Sequence, residues 1–213
     1  MKLIEKLPNI ILVFVKRKFC KDVRKEASEV EDEDMKEMAT IIAEAKAFGF
    51  SHVGELRCET IELLPDVRSM CASGKCAIYD KNWACPPACG TLAECGERIN
   101  QFKSGIIVQT TGELEDALDG ETMMETEAQH KETFLKFRAV LGEAYPELLA
   151  LGAGACQQCK VCSYPDSPCR FPQKAISSME AYGMLVTQVC QDNDIPYYYG
   201  DLTITYTSCY LLK

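Results

Sequence analysis

Four cysteines in the last third of the chain have the spacing of a metal-binding run. They are Cys156, Cys159, Cys162 and Cys169, in the pattern C-x2-C-x2-C-x6-C. Cysteines two residues apart can turn onto one centre, and a third after two further residues reaches the same centre, as in bacterial ferredoxins. Structural zinc sites usually take their ligands as two separated pairs. The spacing therefore favours a [4Fe-4S] cluster, with zinc, or free or disulfide-bonded thiols, as alternatives.

A second group of thiols lies earlier in the chain and is more loosely spaced: Cys71, Cys76, Cys85 and Cys89. Pro86-Pro87 directly follows Cys85 and restricts the backbone beside that thiol. We expect the first three thiols to bind a second cluster, with Cys89 or a non-protein ligand as the fourth. Cys169 has an alternative role, because the fourth cysteine of a ferredoxin run binds the other cluster. Trp83 either packs over a cluster or is an ordinary core aromatic.

The remaining thiols have mainly structural interpretations. Cys95 and Cys190 fall on the apolar stripes of predicted helices, so we expect them to be buried as small apolar residues. Cys58 and Cys209, near predicted strands, are spare candidate ligands. The chain has only two histidines, His52 and His130, and we expect both to be structural.

The composition is that of a globular domain with a substantial core. The chain has 213 residues, of which 47% are hydrophobic and 26% charged. Thirteen cysteines are too few per residue for a secreted disulfide scaffold, and metal ligation explains them better. We see no secretory leader and therefore expect a cytoplasmic protein with reduced thiols. Residues 1–32 are predicted to be an N-terminal extension of unclear role, and 33–213 a single cysteine-rich α/β domain.

The charge and the apolar runs exclude some partners. A net charge of −9 argues against nucleic acid, which requires a basic face, and suits docking on a basic redox partner protein. The early apolar run Ile10–Val15 is too short to span a bilayer, so we expect a buried strand there and no membrane span. The sequence is also compatible with a homo-oligomer.

Hydrophobic periodicity predicts helices alternating with strands. The predicted fold class is α/β, with a small mixed sheet flanked by helices and two cysteine-rich metal-binding loops. The predicted strands are Ser51–Arg57, Gly105–Thr111, Leu148–Gly152 and Leu202–Leu212. The predicted helices run from Met35 to Phe48, from Thr91 to Phe102, from Glu121 to Ala144, and from Ser177 through Cys190.

Both thiol groups precede a predicted capped helix. Thr91 with Glu94, and Ser177 with Glu180, have the form of capping boxes. Because thiolate-bound clusters are anionic and helix N-termini favour anions, we expect each helix start to face a metal centre.

The two cysteine patterns, together with Pro86-Pro87 and Ser178-Met179-Glu180-Ala181, resemble a prokaryotic family of unknown function described as predicted metal-binding proteins. The likeness extends from about Ser51 to Leu212. It implies a small α/β protein common in anaerobes, with a metal bound by cysteines as an iron-sulfur centre. The ligands that it implies are Cys71, Cys76, Cys85, Cys156, Cys159, Cys162 and Cys169.

The sequence therefore predicts an iron-sulfur protein with one or two [4Fe-4S] clusters that acts in electron transfer or redox chemistry. One alternative is an enzyme in which an open iron acts as a Lewis acid, for example in sulfur removal or dehydration. Another is a zinc-stabilised interaction domain. The sequence shows neither a Ser/His/Asp arrangement nor a dinucleotide-binding fingerprint, either of which would indicate other chemistry.

Overall fold

The computed structural model of the protein describes residues 34–213. Ile42–Lys213 form one compact unit, and the described residues before it belong to a separate one. The strand expected at Ile10–Val15 lies outside the described residues. The division into an extension, 1–32, and a domain, 33–213, stays a prediction.

A four-stranded sheet organises the larger unit. Its strands are β1 (His52–Arg57), β2 (Ser104–Glu113), β3 (Leu149–Leu151) and β4 (Thr203–Leu212). They lie in the order β1-β2-β4-β3, and each neighbouring pair is antiparallel. The α/β class is confirmed. Parallel pairing was also expected, but in the described part of the chain it is limited to an isolated bridge between Gly152 and Ser178.

The two long strands are buried on both faces. Residues 105–110 of β2 and 207–212 of β4 are buried throughout, including the polar residues Gln109, Thr110, Thr207 and Ser208. Gly105 lies opposite Leu211, and a Cβ at this position would be 2.2 Å from the carbonyl oxygen of Tyr210. Glycine is therefore required for the close approach of the two strands.

Helices α3, α4 and α5 cover the two faces of this sheet. The helices of the described residues are α1 (34–48), α2 (Pro65–Ala72), α3 (Leu92–Ile99), α4 (Gly120–Ala144) and α5 (Val186–Asp192). On one face, Tyr210 of β4 donates a hydrogen bond to the carbonyl of Phe134 in α4 at 2.7 Å. The next residue, Leu211, points to the other face, where it packs in a cluster with Ile99 of α3 and Val189 of α5.

The start of α3 confirms the first capping box. The Thr91 hydroxyl accepts from the Glu94 amide at 3.2 Å, and the Glu94 carboxylate accepts from the Thr91 amide at 2.6 Å. The long helix α4 was also expected, and its buried stripe includes Phe134, Phe137 and Leu141.

The second capping box is wrong as the start of a helix. Only a short 3-10 turn, Glu180–Tyr182, forms there, and α5 begins at Val186 without a side-chain cap. The chain turns at Gly183, whose φ of 92° is a left-handed conformation that glycine adopts easily. Helix α2 was not expected from the sequence, although Pro65 stands at its first turn, where proline is favoured.

Candidate metal centre

The two cysteine-rich segments pack against each other. The first begins at Cys71 in the last turn of α2 and ends before α3, and the second follows β3. The side chain of Asn82 in the first donates to the carbonyl of Cys156 in the second at 3.2 Å. The indole of Trp83 donates to the carbonyl of Ser167 at 2.9 Å. These bonds join residues more than seventy positions apart in the sequence, so the fold brings the two cysteine-rich loops into direct contact.

Aromatic contacts strengthen this junction. The rings of Trp83 and Tyr164 meet edge to face, with centroids 4.9 Å apart. The Tyr164 hydroxyl donates to the Asp80 carboxylate at 2.6 Å. Trp83 is therefore a partly buried residue that ties one cysteine loop to the other.

Cys85 lies where thiols from both segments converge. It is buried, and burial raises the pKa of its thiol to about 11. Negative charge on four neighbouring thiols raises this pKa further: Cys76, Cys71, Cys156 and Cys162. Ionised thiols in this arrangement repel one another. A bound cation would relieve that repulsion, so the donor set fits a thiophilic metal or a cluster of such metals.

The six-residue gap before Cys169 is closed by a turn. The Ser163 hydroxyl donates to the carbonyl of Pro168 at 2.8 Å, and the Arg170 guanidinium donates to the carbonyl of Val161 at 2.8 Å. Since these residues adjoin Cys162 and Cys169, the turn brings the two ends of the gap together. Cys159 and Cys169 are both partly exposed.

Every cysteine in the described part of the chain is a free thiol. Among residues 34–213, no three or more His, Cys, Asp or Glu side chains lie close enough together to hold a single metal ion as they stand.

Cys89 contacts another cysteine. Its thiol is buried and donates to the carbonyl oxygen of Ala181 at 3.7 Å, and its sulfur lies near that of Cys95. The neighbouring Cys89 thiol is the largest cause that lowers the pKa of Cys95 to about 6, against the effect of burial, and the positive charges of Arg68 and Arg98 act in the same direction. Cys95 is fully buried in the core, as expected. The contact was missed, although it joins the residue two before the N-cap to position N4, near the usual place of a hydrophobic staple.

The other thiols belong to the core. Cys58, Cys190 and Cys209 are buried in the hydrophobic cluster between the sheet and helices α3 and α5. Burial raises the pKa of Cys58 to about 12 and of Cys190 to about 11. Cys190 was expected there. Cys58 and Cys209 were spare candidate ligands, and the structure places both in this apolar cluster.

The histidines have partners in the fold. The ring of His52 stacks on Tyr199, with centroids 3.7 Å apart. His130 is buried between two hydroxyls, with Nδ1 2.9 Å from Thr110 Oγ1 and Nε2 2.7 Å from Ser208 Oγ.

A surface groove opens beside the first thiols. It is lined by Val67, Met70, Cys71, Ser73, Lys75, Cys76 and Glu180. Cys76 is exposed and Cys71 partly exposed, so a molecule from solvent has access to both.

The fold and the site define a small α/β protein in which two loops of free thiols meet. A model of the family described as "Predicted metal-binding protein (DUF2284)" matches residues 54–212. The chain belongs to this family, which confirms the resemblance seen in its cysteine motifs. No curated protein and no solved structure matches the chain. No helix among residues 34–213 has the length and apolar character needed to cross a membrane.

Proposed function

We propose that this protein binds [4Fe-4S] clusters at the two cysteine loops and transfers electrons through them. One cluster is held by Cys156, Cys159, Cys162 and Cys169. The other is held by Cys71, Cys76 and Cys85, with Cys89 or a non-protein ligand as the fourth. The observation that carries the proposal is the convergence at Cys85 of thiols from both loops.

The cysteine spacing supports iron-sulfur over zinc. Three thiols at regular intervals of three residues suit a cluster, in which each thiolate binds its own iron. Four thiols around one zinc ion are usually supplied as two pairs. The contact between the two loops also suits electron transfer, because clusters held by them would lie near each other.

The protein's own residues set the surroundings of the centres. Bound clusters supply single-electron transfer, at potentials between about −700 and +450 mV that depend on hydrogen bonding and burial. The Trp83–Tyr164 contact holds the loops together, and burial of Cys85 limits water at their junction.

The net charge of −9 favours a redox partner with a basic docking surface. Free thiols throughout the described residues suit a reducing compartment, and we place the protein in the cytoplasm.

Metal analysis tests the proposal. Iron, acid-labile sulfide and zinc are measured per chain after purification without oxygen. About eight iron atoms with matching sulfide support two clusters, and about four support one. Cys85→Ser should lower the iron content, whereas Cys190→Ser, at a buried thiol away from the loops, should not. Zinc without sulfide would refute the proposal and favour a zinc-stabilised interaction domain.

The groove beside Cys71 and Cys76 supports a second candidate, an enzyme. If three thiolates hold the first cluster, one iron stays open, and it can polarise a substrate as a Lewis acid. The groove gives such a substrate a path to these thiols, and Lys75 and Glu180 line it. The test is the EPR spectrum of the reduced protein with and without added small thiols. A change on addition supports an open iron. A spectrum that no added ligand alters, in the natural protein and in Cys89→Ser alike, rejects it.

A further inference from the structure

A cavity of about 60 Å³ lies between α4 and the start of the second cysteine loop. Leu135 and Gly154 in its lining are exposed, whereas His130 and Ser208 are buried, so the cavity leads from the surface toward the sheet. Since one water molecule needs about 10–15 Å³ of such space, the cavity has room for about five non-hydrogen atoms.

Most of the cavity wall is apolar. Phe134 and Leu135 contribute to it from α4, Ala153 and Ala155 from the loop, and Ile176 from the segment that follows the loop. An apolar group that enters the cavity leaves water and contacts these side chains, which is favourable. The wall therefore suits a ligand with an apolar body.

The lining offers no unpaired charge to a ligand. Lys131 is the one charged side chain that the described residues contribute, and it forms an ion pair with Glu127 one turn earlier in α4. Burial lowers the pKa of His130 to about 4, so its ring is neutral near pH 7. A charged ligand would lose its hydration here without gaining a partner of opposite charge. The cavity therefore suits an uncharged molecule.

Ser208 supplies a polar group at the buried end. Its Oγ lies 2.7 Å from His130 Nε2, and His130 Nδ1 lies 2.9 Å from Thr110 Oγ1. If the proton of the neutral ring is on Nδ1, the Ser208 hydroxyl donates to Nε2 and its oxygen can accept from a ligand. If the proton is on Nε2, Ser208 accepts it and can donate its own proton to a ligand. Ser208 can thus bind either a donor or an acceptor.

We propose that this cavity is a binding site for a small uncharged organic molecule. Its apolar body packs against Phe134 and Ile176, and one hydroxyl, carbonyl or amide group forms a hydrogen bond with Ser208. The inference goes beyond cluster binding, because it assigns a ligand to a part of the fold that holds no candidate cluster. Cys156 also lines the cavity, so the bound molecule lies beside the first cysteine of the second loop.

Fluorine NMR with 3-fluoropropan-1-ol tests the site. This probe has five non-hydrogen atoms, and it is added to the full-length protein, purified with its metal and without oxygen. We expect its fluorine line to broaden saturably, with a dissociation constant on the order of millimolar, because so small a ligand makes few contacts. Unlabelled propan-1-ol, propanone and propanamide should compete with the probe, and their order of affinity identifies the preferred polar group. Propionate, of similar size but charged, should not compete.

Matched variants of α4 locate the binding. Leu135→Trp places a larger side chain at the exposed end of the cavity and should abolish the broadening. Val140→Trp, at another exposed apolar position of the same helix but outside the lining, is the control and should bind the probe normally. Ser208→Ala removes one hydrogen bond and should weaken binding by about fivefold. If urea unfolding shows that Ser208→Ala does not fold, the pair of tryptophan variants decides, since both change exposed positions.

The outcomes separate this site from the clusters. A chain without iron and sulfide that still binds the probe would refute the cluster proposal alone. A chain with its full iron content and no saturable broadening would refute the cavity site alone, and a cavity that holds only water would give this result. The inference is also overturned if Leu135→Trp and Val140→Trp bind the probe equally well, or if propionate competes as strongly as propan-1-ol.

Discussion

Buried His130 should make the stability of this fold depend on pH. The side chain is 1% exposed, and the hydroxyls of Thr110 and Ser208 lie within hydrogen-bond distance of its two ring nitrogens. Burial lowers its pKa to about 4 from 6.5, and the positive charge of Lys131 acts in the same direction. The folded protein therefore keeps this ring neutral at a pH where the unfolded chain would protonate it.

The size of the effect follows from the two pKa values. The unfolded state binds one more proton than the folded state between about pH 6.5 and pH 4, so the free energy of unfolding falls as pH falls through this range. The full difference corresponds to about 3 kcal/mol, and about 2 kcal/mol of it should be lost by about pH 5. Above about pH 6.5 the contribution of His130 is complete and no longer changes.

Urea unfolding of the natural protein and of His130→Gln measures this effect. Glutamine can donate to one hydroxyl and accept from the other, but it does not titrate. We expect the natural protein to lose about 2 kcal/mol more than the variant between about pH 7.5 and about pH 5. Both proteins carry the same thiols, so pH effects at the metal site cancel in the comparison. An equal loss in the two proteins would show that His130 is not the group responsible.

Three further predictions concern the loops and the sheet. Trp83→Phe removes the hydrogen bond to the Ser167 carbonyl, so it should lower the free energy of unfolding in urea by about 1 kcal/mol and speed the loss of metal to a chelator. An unchanged rate of metal loss would contradict the role of Trp83 in joining the loops. Thr91→Ala removes the cap of α3 and should cost about 1 kcal/mol with metal content unchanged. Gly105→Ala places a Cβ 2.2 Å from the Tyr210 carbonyl and should cost more than about 3 kcal/mol, so a variant of natural stability would contradict the strand contact.

Local signals in the sequence were sufficient for most of the elements. The capping box at Thr91 predicts α3 because its bonds lie within one turn of helix. The strands β2 and β4 were identified because each contains a short apolar run, Ile106–Val108 and Tyr210–Leu212, which a strand buried on both faces favours. The same kind of signal failed at Ser177, since it takes no account of Gly183. A Cβ there would lie 2.6 Å from Leu92, so packing against α3 helps to set where the turn ends.

By itself, the sequence determined the candidate ligands, the α/β class and the family, because residue spacing and periodicity are carried along the chain. Only the tertiary structure decided that the two cysteine loops meet, since Asn82 and Cys156 are distant in sequence and nothing local encodes their contact. It likewise placed Cys89 near Cys95, whose sulfur accepts from the Arg68 guanidinium at 3.7 Å. The chemistry of each thiol depends on the charges beside it, and these come from several elements that only the fold assembles.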